Sequence, residues 1–205
     1  MTYEEPTLLP WIDMETSGLD ENGPDAWVGE IGFAITDRSL GIVDSISFVV
    51  EPGHLGAFVC IDGSWPVEND IVLEMHRKNG LFDALNRGEG RPMGWVADRC
   101  IEFLGDYVEP GTRPLCGSSL RHDRNWLQKF APNLHNFFHY RSIDVSALKE
   151  TIARWWPDDV PEFDPPPVKL HRVDPDIVDS INEFKAYMAI LERGVTPFHA
   201  KEFQS

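Results

Sequence analysis

Asp13 and Glu15 stand two residues apart in "WIDMETSGLD" (11–20), behind an apolar run and just ahead of Gly18. On a β-strand, residues i and i+2 share a face, so the two carboxylates project together while Met14 points away. Two such groups repel unless one is protonated or a cation lies between them. Their oxygens suit a hard divalent cation such as Mg²⁺, and Gly18 lets the backbone turn so that a ligand can approach. On their own, two acids at a strand end are more often simply solvated. Metal-assisted phosphoryl transfer asks for more: further carboxylates, and a base that deprotonates the attacking water. Two places offer them. Asp123 lies near the start of a helix that follows a short strand, and "HRVDPD" (171–176) sets His171 ahead of a long C-terminal helix with Asp176 in its first turn.

The elements that must carry these residues can be read from periodicity. Residues 8–14, 27–37 and 41–50 read as three strands of an antiparallel meander, with the turn between the last two at Asp37 to Gly41. Residues 67–79 and 93–108 have helical spacing, the second with a stripe of Trp95, Val96, Cys100, Phe103, Leu104 and Val108. A short strand at 113–117, a helix at 122–130 stopped near Pro132, a strand at 140–145 and a helix at 146–156 follow. Residues 157–168 hold five prolines in twelve positions and read as an irregular loop. The last helix is expected to start with Asp174 as N-cap and Pro175 at its first position. Its apolar stripe is Ile177, Ile181, Phe184, Met188 and Leu191, and Gly194 is its expected stop. The chain of 205 residues suits a single α/β domain over 1–205, with the proline-rich loop as an excursion within it.

Composition narrows the function classes. With 34 acidic and 18 basic residues the formal net charge is −16, which repels polyanions at long range and argues against tracking along long DNA or RNA. A small anionic ligand held locally, or a carboxylate-rich metal site, remains compatible with it. The three cysteines, Cys60, Cys100 and Cys116, form no C-x-x-C pair, so the expected compartment is reducing and cytoplasmic. The acidic start "MTYEEPTLLP" does not read as a signal peptide, and no apolar run approaches the ~18 residues of a membrane span.

The order Asp-x-Glu, then Asp, then His-x4-Asp resembles the 3′→5′ exonucleases with four acidic residues and a catalytic histidine, the DEDDh type. Within that group the chain is most similar to the oligoribonuclease family. The resemblance is carried by "WIDMETSGLD" (11–20), "EMHRKNGL" (74–81), "GSSLRHDRNWLQKFAP" (117–132), "FFHYRSIDVSALKE" (137–150), "RWWP" (154–157) and "HRVDPDIVDSINEF" (171–184). Of these, "HYRSIDVSALKE" followed by "RWWP" is the most specific. The resemblance implies a ribonuclease-H-like α/β fold: a mixed five-stranded sheet, three antiparallel strands first, flanked by helices. It implies two Mg²⁺ or Mn²⁺ ions on Asp13, Glu15, Asp123 and Asp176, with His171 as general base. Leu19 would wedge against the bases, His76 would line the pocket, and Ser119, Arg141 and Ser146 would cap the terminal phosphate. Tyr140 would reach the partner subunit's site, which implies a homodimer. Arginine and hydroxyls suit phosphate oxygens, and such a cap would admit only very short single-stranded RNA, down to dinucleotides, for cleavage to nucleoside 5′-monophosphates. Three positions differ from common family usage: Ile71 for a pocket tryptophan, Asn79 for serine and Ser118 for asparagine. Two other readings remain open from the residues: a general single-strand DNA or RNA exonuclease of the same fold, and a non-catalytic nucleotide- or protein-binding module.

Overall fold

The computed structural model describes residues 8–53, 63–161 and 171–192. The chain opens with the expected meander: β1 (Leu9–Thr16), β2 (Val28–Thr36) and β3 (Ile42–Glu51), each antiparallel to the one before. Helices α1 (Asp70–Lys78) and α2 (Leu81–Asn86) follow, then a two-residue strand β4 (Arg91–Pro92) and helix α3 (Met93–Gly105). The second half runs β5 (Pro114–Gly117), α4 (Arg121–Phe130), α5 (Pro132–Phe137), β6 (His139–Asp144), α6 (Val145–Trp155) and α7 (Val173–Glu192). The sheet order is β4-β3-β2-β1-β5-β6, with β5 parallel to β1 and β6 parallel to β5. β1 is therefore flanked on both edges, and whatever it carries at its end is held by two neighbours.

Side-chain alternation along β1 divides the core. Ile12 and Met14 face one layer with Ile31, Phe33 and Ile35 of β2, against Val96, Cys100 and Leu104 of α3, Trp126 of α4 and Leu134 of α5. Leu9 and Trp11 face the other layer, against Val145 and Ile152 of α6 and Ile177, Ile181 and Phe184 of α7. Trp11 meets Phe184 edge-on at 5.5 Å and donates its indole N–H to Thr36 Oγ1 at 2.9 Å, so a large ring is buried without orphaning its polar atom. Fully burying aliphatic side chains such as Ile177 and Ile181 stabilises by about 1.5–3 kcal/mol each, which is what clamps α7 to the sheet. The residues of β2 beneath the start of α7 are small, Gly32 and Ala34, and the helix lies close on them.

Several elements differ from the sequence reading. The sheet has six strands, because β4 adds a two-residue edge beside Val50 and Glu51 that is too short to leave a pattern. The helix over 122–130 does stop ahead of Pro132, at Phe130, but the short helices α2 and α5 add to the expected set, and Pro132 opens α5 at a position where its missing N–H is no loss. α7 begins at Val173, because the carbonyl of Arg172 already accepts the Asp176 N–H at 3.1 Å. Asp174 is thus inside the first turn, where its Oδ2 accepts from the Ser47 hydroxyl at 3.0 Å. The α7 stripe also rotates: Tyr187 and Ile190 are buried, whereas Leu191 is exposed. On α3, Trp95 is exposed and packs edge-on against Phe48 of β3 at 5.4 Å instead of entering the core. The Asp37–Gly41 turn is found, closed by hydrogen bonds from Leu40 N–H to the Asp37 carbonyl and from Gly41 N–H to Asp37 Oδ1. In the proline-rich stretch a single 3₁₀ turn covers Pro157–Asp159; residues 162–168 of that loop, Cys60 and Gly194 lie outside the described residues. Cys100 and Cys116 are both buried and unlinked, and burial pushes both thiols up, that of Cys100 to about 12.

A Cβ on Gly32 would come within 2.8 Å of Val173 Cγ2 and 3.2 Å of Ile177 Cδ1, both on stiff branched side chains at the start of α7. Gly32→Ala is therefore expected to lower stability by about 1–3 kcal/mol in urea unfolding, and to lower activity by displacing the turn that carries Asp176. An unchanged midpoint would show that α7 does not rest on this glycine.

Candidate active site

The face of β1 that packs on α7 reads Leu9, Trp11, Asp13, Glu15. Its first half is covered by apolar residues of α7, and its second half meets the helix's first turn. There Asp13, Glu15 and Asp176 converge, with ligand oxygens all within 4.8 Å of one another. Glu15 is buried, and the other two are half-buried. The donor set is oxygen only and anionic, which fits a hard divalent cation and not a soft one. The positive end of α7 lies beside the cluster and favours negative charge at this spot. His171 stands next to it, with Nδ1 3.8 Å from Asp176 Oδ2.

Behind the carboxylates lies a layer that sequence reasoning did not foresee. Glu30 of β2 stands directly across the strands from Glu15. It is gripped by the guanidinium of Arg172 through Nε at 2.5 Å and through Nη2, and its Oε2 also accepts the Val173 N–H at 3.4 Å. The only signal was a charged residue inside a strand that is buried at every position, which requires a partner. His76 was expected to line the pocket; it is instead fully buried behind it, between Trp27 and Phe82 at ring distances of 5.9 and 5.6 Å. Its Nε2 donates to the Thr16 carbonyl at 2.8 Å, its Nδ1 lies 3.8 Å from Glu15 Oε2, and burial lowers its pKa. The neutral ring thus braces the end of β1 without adding charge to it.

Asp123 does not join the group of three. It is buried in the first turn of α4, and burial pushes its carboxyl up to about 8, with the charge of Asp144 adding in the same direction. A nearby divalent cation would oppose that shift. The adjacent His122 does reach the cleft, with Nε2 3.2 Å from Thr16 Oγ1. The cleft has a volume of about 400 Å³ and is lined by Asp13, Glu15, Asp176 and His171 on one side, with Leu19 and Ile71 on its rim. Both rim residues are strongly exposed, at 76% and 81%. Leu19 is held by its N–H, which donates to Glu68. Gly18 was expected to leave room for a ligand; the room is taken by the Glu68 side chain, which a Cβ at 18 would strike.

The remaining expected site residues gather outside that cleft. Ser119 and Ser146 lie hydroxyl to hydroxyl at 3.0 Å, where α4 and α6 begin. Asp144 joins them, accepting from the N–H groups of Ser119, Leu120 and Ser146 at 2.9–3.0 Å. Tyr140 and Arg141 sit on β6 at the edge of the sheet, with the guanidinium 5.3 Å from the phenol ring and the tyrosine 76% exposed. Arg124 ties α4 to this strand through Ser142 Oγ and the carbonyls of His139 and Arg141 at 2.8–2.9 Å.

No family model matches the chain. Curated relatives do. The oligoribonuclease of Mycobacterium ulcerans (strain Agy99) is 36% identical over 182 residues, covering 87% of this chain and 79% of the relative. That of Shewanella frigidimarina (strain NCIMB 400) is 34% identical over 180 residues, covering 87% and 92%. Among solved structures, exonuclease I superposes with a TM-score of 0.64 at 15% identity over 91% of this chain. Escherichia coli exonuclease I in complex with a dT13 oligonucleotide gives 0.63 at 14% identity over 92%. This chain spans about two-fifths of those exonuclease I chains, and at that identity the likeness speaks for a shared ribonuclease-H-like fold alone.

Arg172→Met would leave Glu30 charged and buried beside Glu15. The expected loss is about 3 kcal/mol of stability in urea unfolding, largely recovered by adding Glu30→Gln. Equal stability of the single variant and the parent would show that the pair is not what holds the two strands' acids in place.

Proposed function

The chain belongs to the oligoribonuclease family, and from that premise we propose that it is a metal-dependent 3′→5′ exoribonuclease that degrades very short RNA, down to dinucleotides, to nucleoside 5′-monophosphates. The observation that carries this reading is the convergence of Asp13, Glu15 and Asp176 from two separate elements beside His171. A binding module has no need of a base beside three clustered acids.

Asp13, Glu15 and Asp176 would hold divalent cations, Mg²⁺ or Mn²⁺, with Asp123 of α4 as the fourth carboxylate of the family pattern. Bound there, two cations supply Lewis acidity that activates water and offsets charge on the phosphate and the leaving 3′ oxygen. His171, in its neutral form, takes the proton from the attacking water; Nδ1 is the ring nitrogen that faces the carboxylates. Leu19 and Ile71 hold the base at the rim by apolar contact. Ser119, Ser146 and Arg141 receive the far phosphate, and their distance from the carboxylates sets the length that fits. A cleft of about 400 Å³ lies at the small end of the range for ligand sites, about 300–1,000 Å³, which supports a short substrate. The exposed Tyr140 on the sheet edge supports a homodimer in which it contacts the partner's site. Among the described residues no helix is long and apolar enough to cross a membrane; a cytoplasmic location is proposed from the cysteine usage, which suits a reducing compartment.

On 5′-phosphorylated oligoribonucleotides from two to about twenty residues, turnover with Mg²⁺ or Mn²⁺ is expected to be fastest on the dinucleotide. EDTA and Asp13→Ala should each abolish it, and His171→Ala should lower kcat by about 10²–10⁴-fold. A strong preference for the longest strand would replace this reading with that of a general single-strand exonuclease. Cation binding without product would replace it with that of a binding module. Sedimentation of the full chain should give a dimer, whereas a monomer that is fully active would remove Tyr140 from the site.

A further inference from the structure

We propose that Asn79 is a positioning residue that holds the backbone of His171 in a left-handed conformation and so aims its imidazole at the carboxylate cluster. The inference rests on the reading of His171 as proton acceptor. His171 has φ of 45°, a region that a residue with a Cβ enters at a cost of about 1–2 kcal/mol. Such conformations persist where the surroundings over-determine them. Here they do so on both sides. Asn79 Nδ2 donates to the His171 carbonyl at 2.5 Å. The next two residues are fixed from the sheet: Arg172 by its ion pair with Glu30, and Val173 by its N–H on the same carboxylate. Arg172 Nη1 also donates to the Asn79 carbonyl at 3.4 Å, so the two chain segments hold each other by side chain and main chain.

In this chain the asparagine amide serves every neighbour at the position. Asn79 ends α1 and is buried, and its amide has a partner in each direction. Oδ1 accepts the Leu81 N–H at 2.9 Å. One Nδ2 hydrogen goes to His171, and the other faces His76 Nδ1 at 3.5 Å. That nitrogen is the acceptor of the ring, because Nε2 donates to the Thr16 carbonyl. A line of contacts therefore runs from the backbone beside Glu15, through His76 and Asn79, to the backbone of His171. The two halves of the site, one on β1 and one ahead of α7, are braced to each other behind the cleft. Serine has one donor and too little reach for both histidines, aspartate has no donor, and glutamine is one methylene too long.

Asn79→Asp keeps the size and the acceptor for Leu81 but removes both donors; Asn79→Ala removes all three contacts. In the full chain with saturating Mg²⁺ and a 5′-phosphorylated diribonucleotide, both are expected to lower kcat about 10- to 100-fold, as misplacement of a reacting group does, with KM changed less than about threefold. In a His171→Ala background, Asn79→Ala should cause no further loss of the residual turnover, because the effect passes through that imidazole. Where Asn79→Ala fails to fold, Asn79→Ser takes its place in the same comparison. Asn79 variants within about twofold of the parent kcat, beside an inactive His171→Ala, would overturn the clamp alone. A full additional loss in the His171→Ala background would also overturn it, by making Asn79 a general structural residue. Full turnover by His171→Ala itself would overturn it at its premise.

Discussion

Three carboxylates within 4.8 Å of one another at the end of a buried strand repel, and the surrounding structure is arranged around that repulsion. Arg172 is within reach of the charge of Glu15, yet its guanidinium bonds Glu30, the acid directly across the sheet. Had Arg172 turned to Glu15 instead, Glu30 would be buried and unpartnered and the cluster would have lost its negative potential. His76 touches Glu15 but is kept neutral by burial. The packing thus neutralises the acid that would only add strain and leaves the charge where a divalent cation would meet it.

The same arrangement reconciles an acidic protein with an anionic substrate. At a net charge of −16, long-range attraction of a polyanion is lost. On the proposed reading, recognition comes from close contacts at fixed distances: cations on the carboxylates, apolar contact with a base at Leu19 and Ile71, and hydroxyls and an arginine for a phosphate. Each of these acts over a few ångströms and suits a substrate of one or two nucleotides. A long strand would have to cross a surface that repels it. Acidic charge elsewhere therefore works in the same direction as the small cleft.

The chemistry of the site was more legible in the sequence than its support. Period-two alternation alone puts Asp13 and Glu15 on one face, and helix-start chemistry puts Asp176 in a first turn; both signals are local. The meander was legible because β1, β2 and β3 are long and rich in β-branched and aromatic residues. What escaped depends on pairs distant in sequence. Glu30 and Arg172 are 142 residues apart, and only strand register brings Glu30 opposite Glu15. Asn79 reads as an ordinary helix end until the chain returns at His171. The short elements α2, α5 and β4 carry too few residues to show a period. At the start of α7 an Asp-Pro pair looks like a cap, while the deciding bond comes from the carbonyl of Arg172, two residues earlier.

Asp144 shows how the Ser119–Ser146 hydroxyl pair is kept in register with the carboxylates. It closes β6, pairs in register with Gly117 at the end of β5, and caps α6 by accepting the Ser146 N–H. The same side chain accepts the N–H groups of Ser119 and Leu120, which begin α4. One carboxylate thus fixes two helix starts. α4 carries His122 to β1, and α6 packs with α7, which carries Asp176. A shift of Asp144 would move Ser119 and Ser146 together and would tilt both helices relative to β1. Distances between the hydroxyl pair and the carboxylate cluster are therefore set by strand pairing and helix caps, which are stiff, and not by loops. On the proposed reading, in which the hydroxyl pair receives the far phosphate, that stiffness is what would fix the length of substrate that fits, since a ruler is only as good as the rigidity between its two ends.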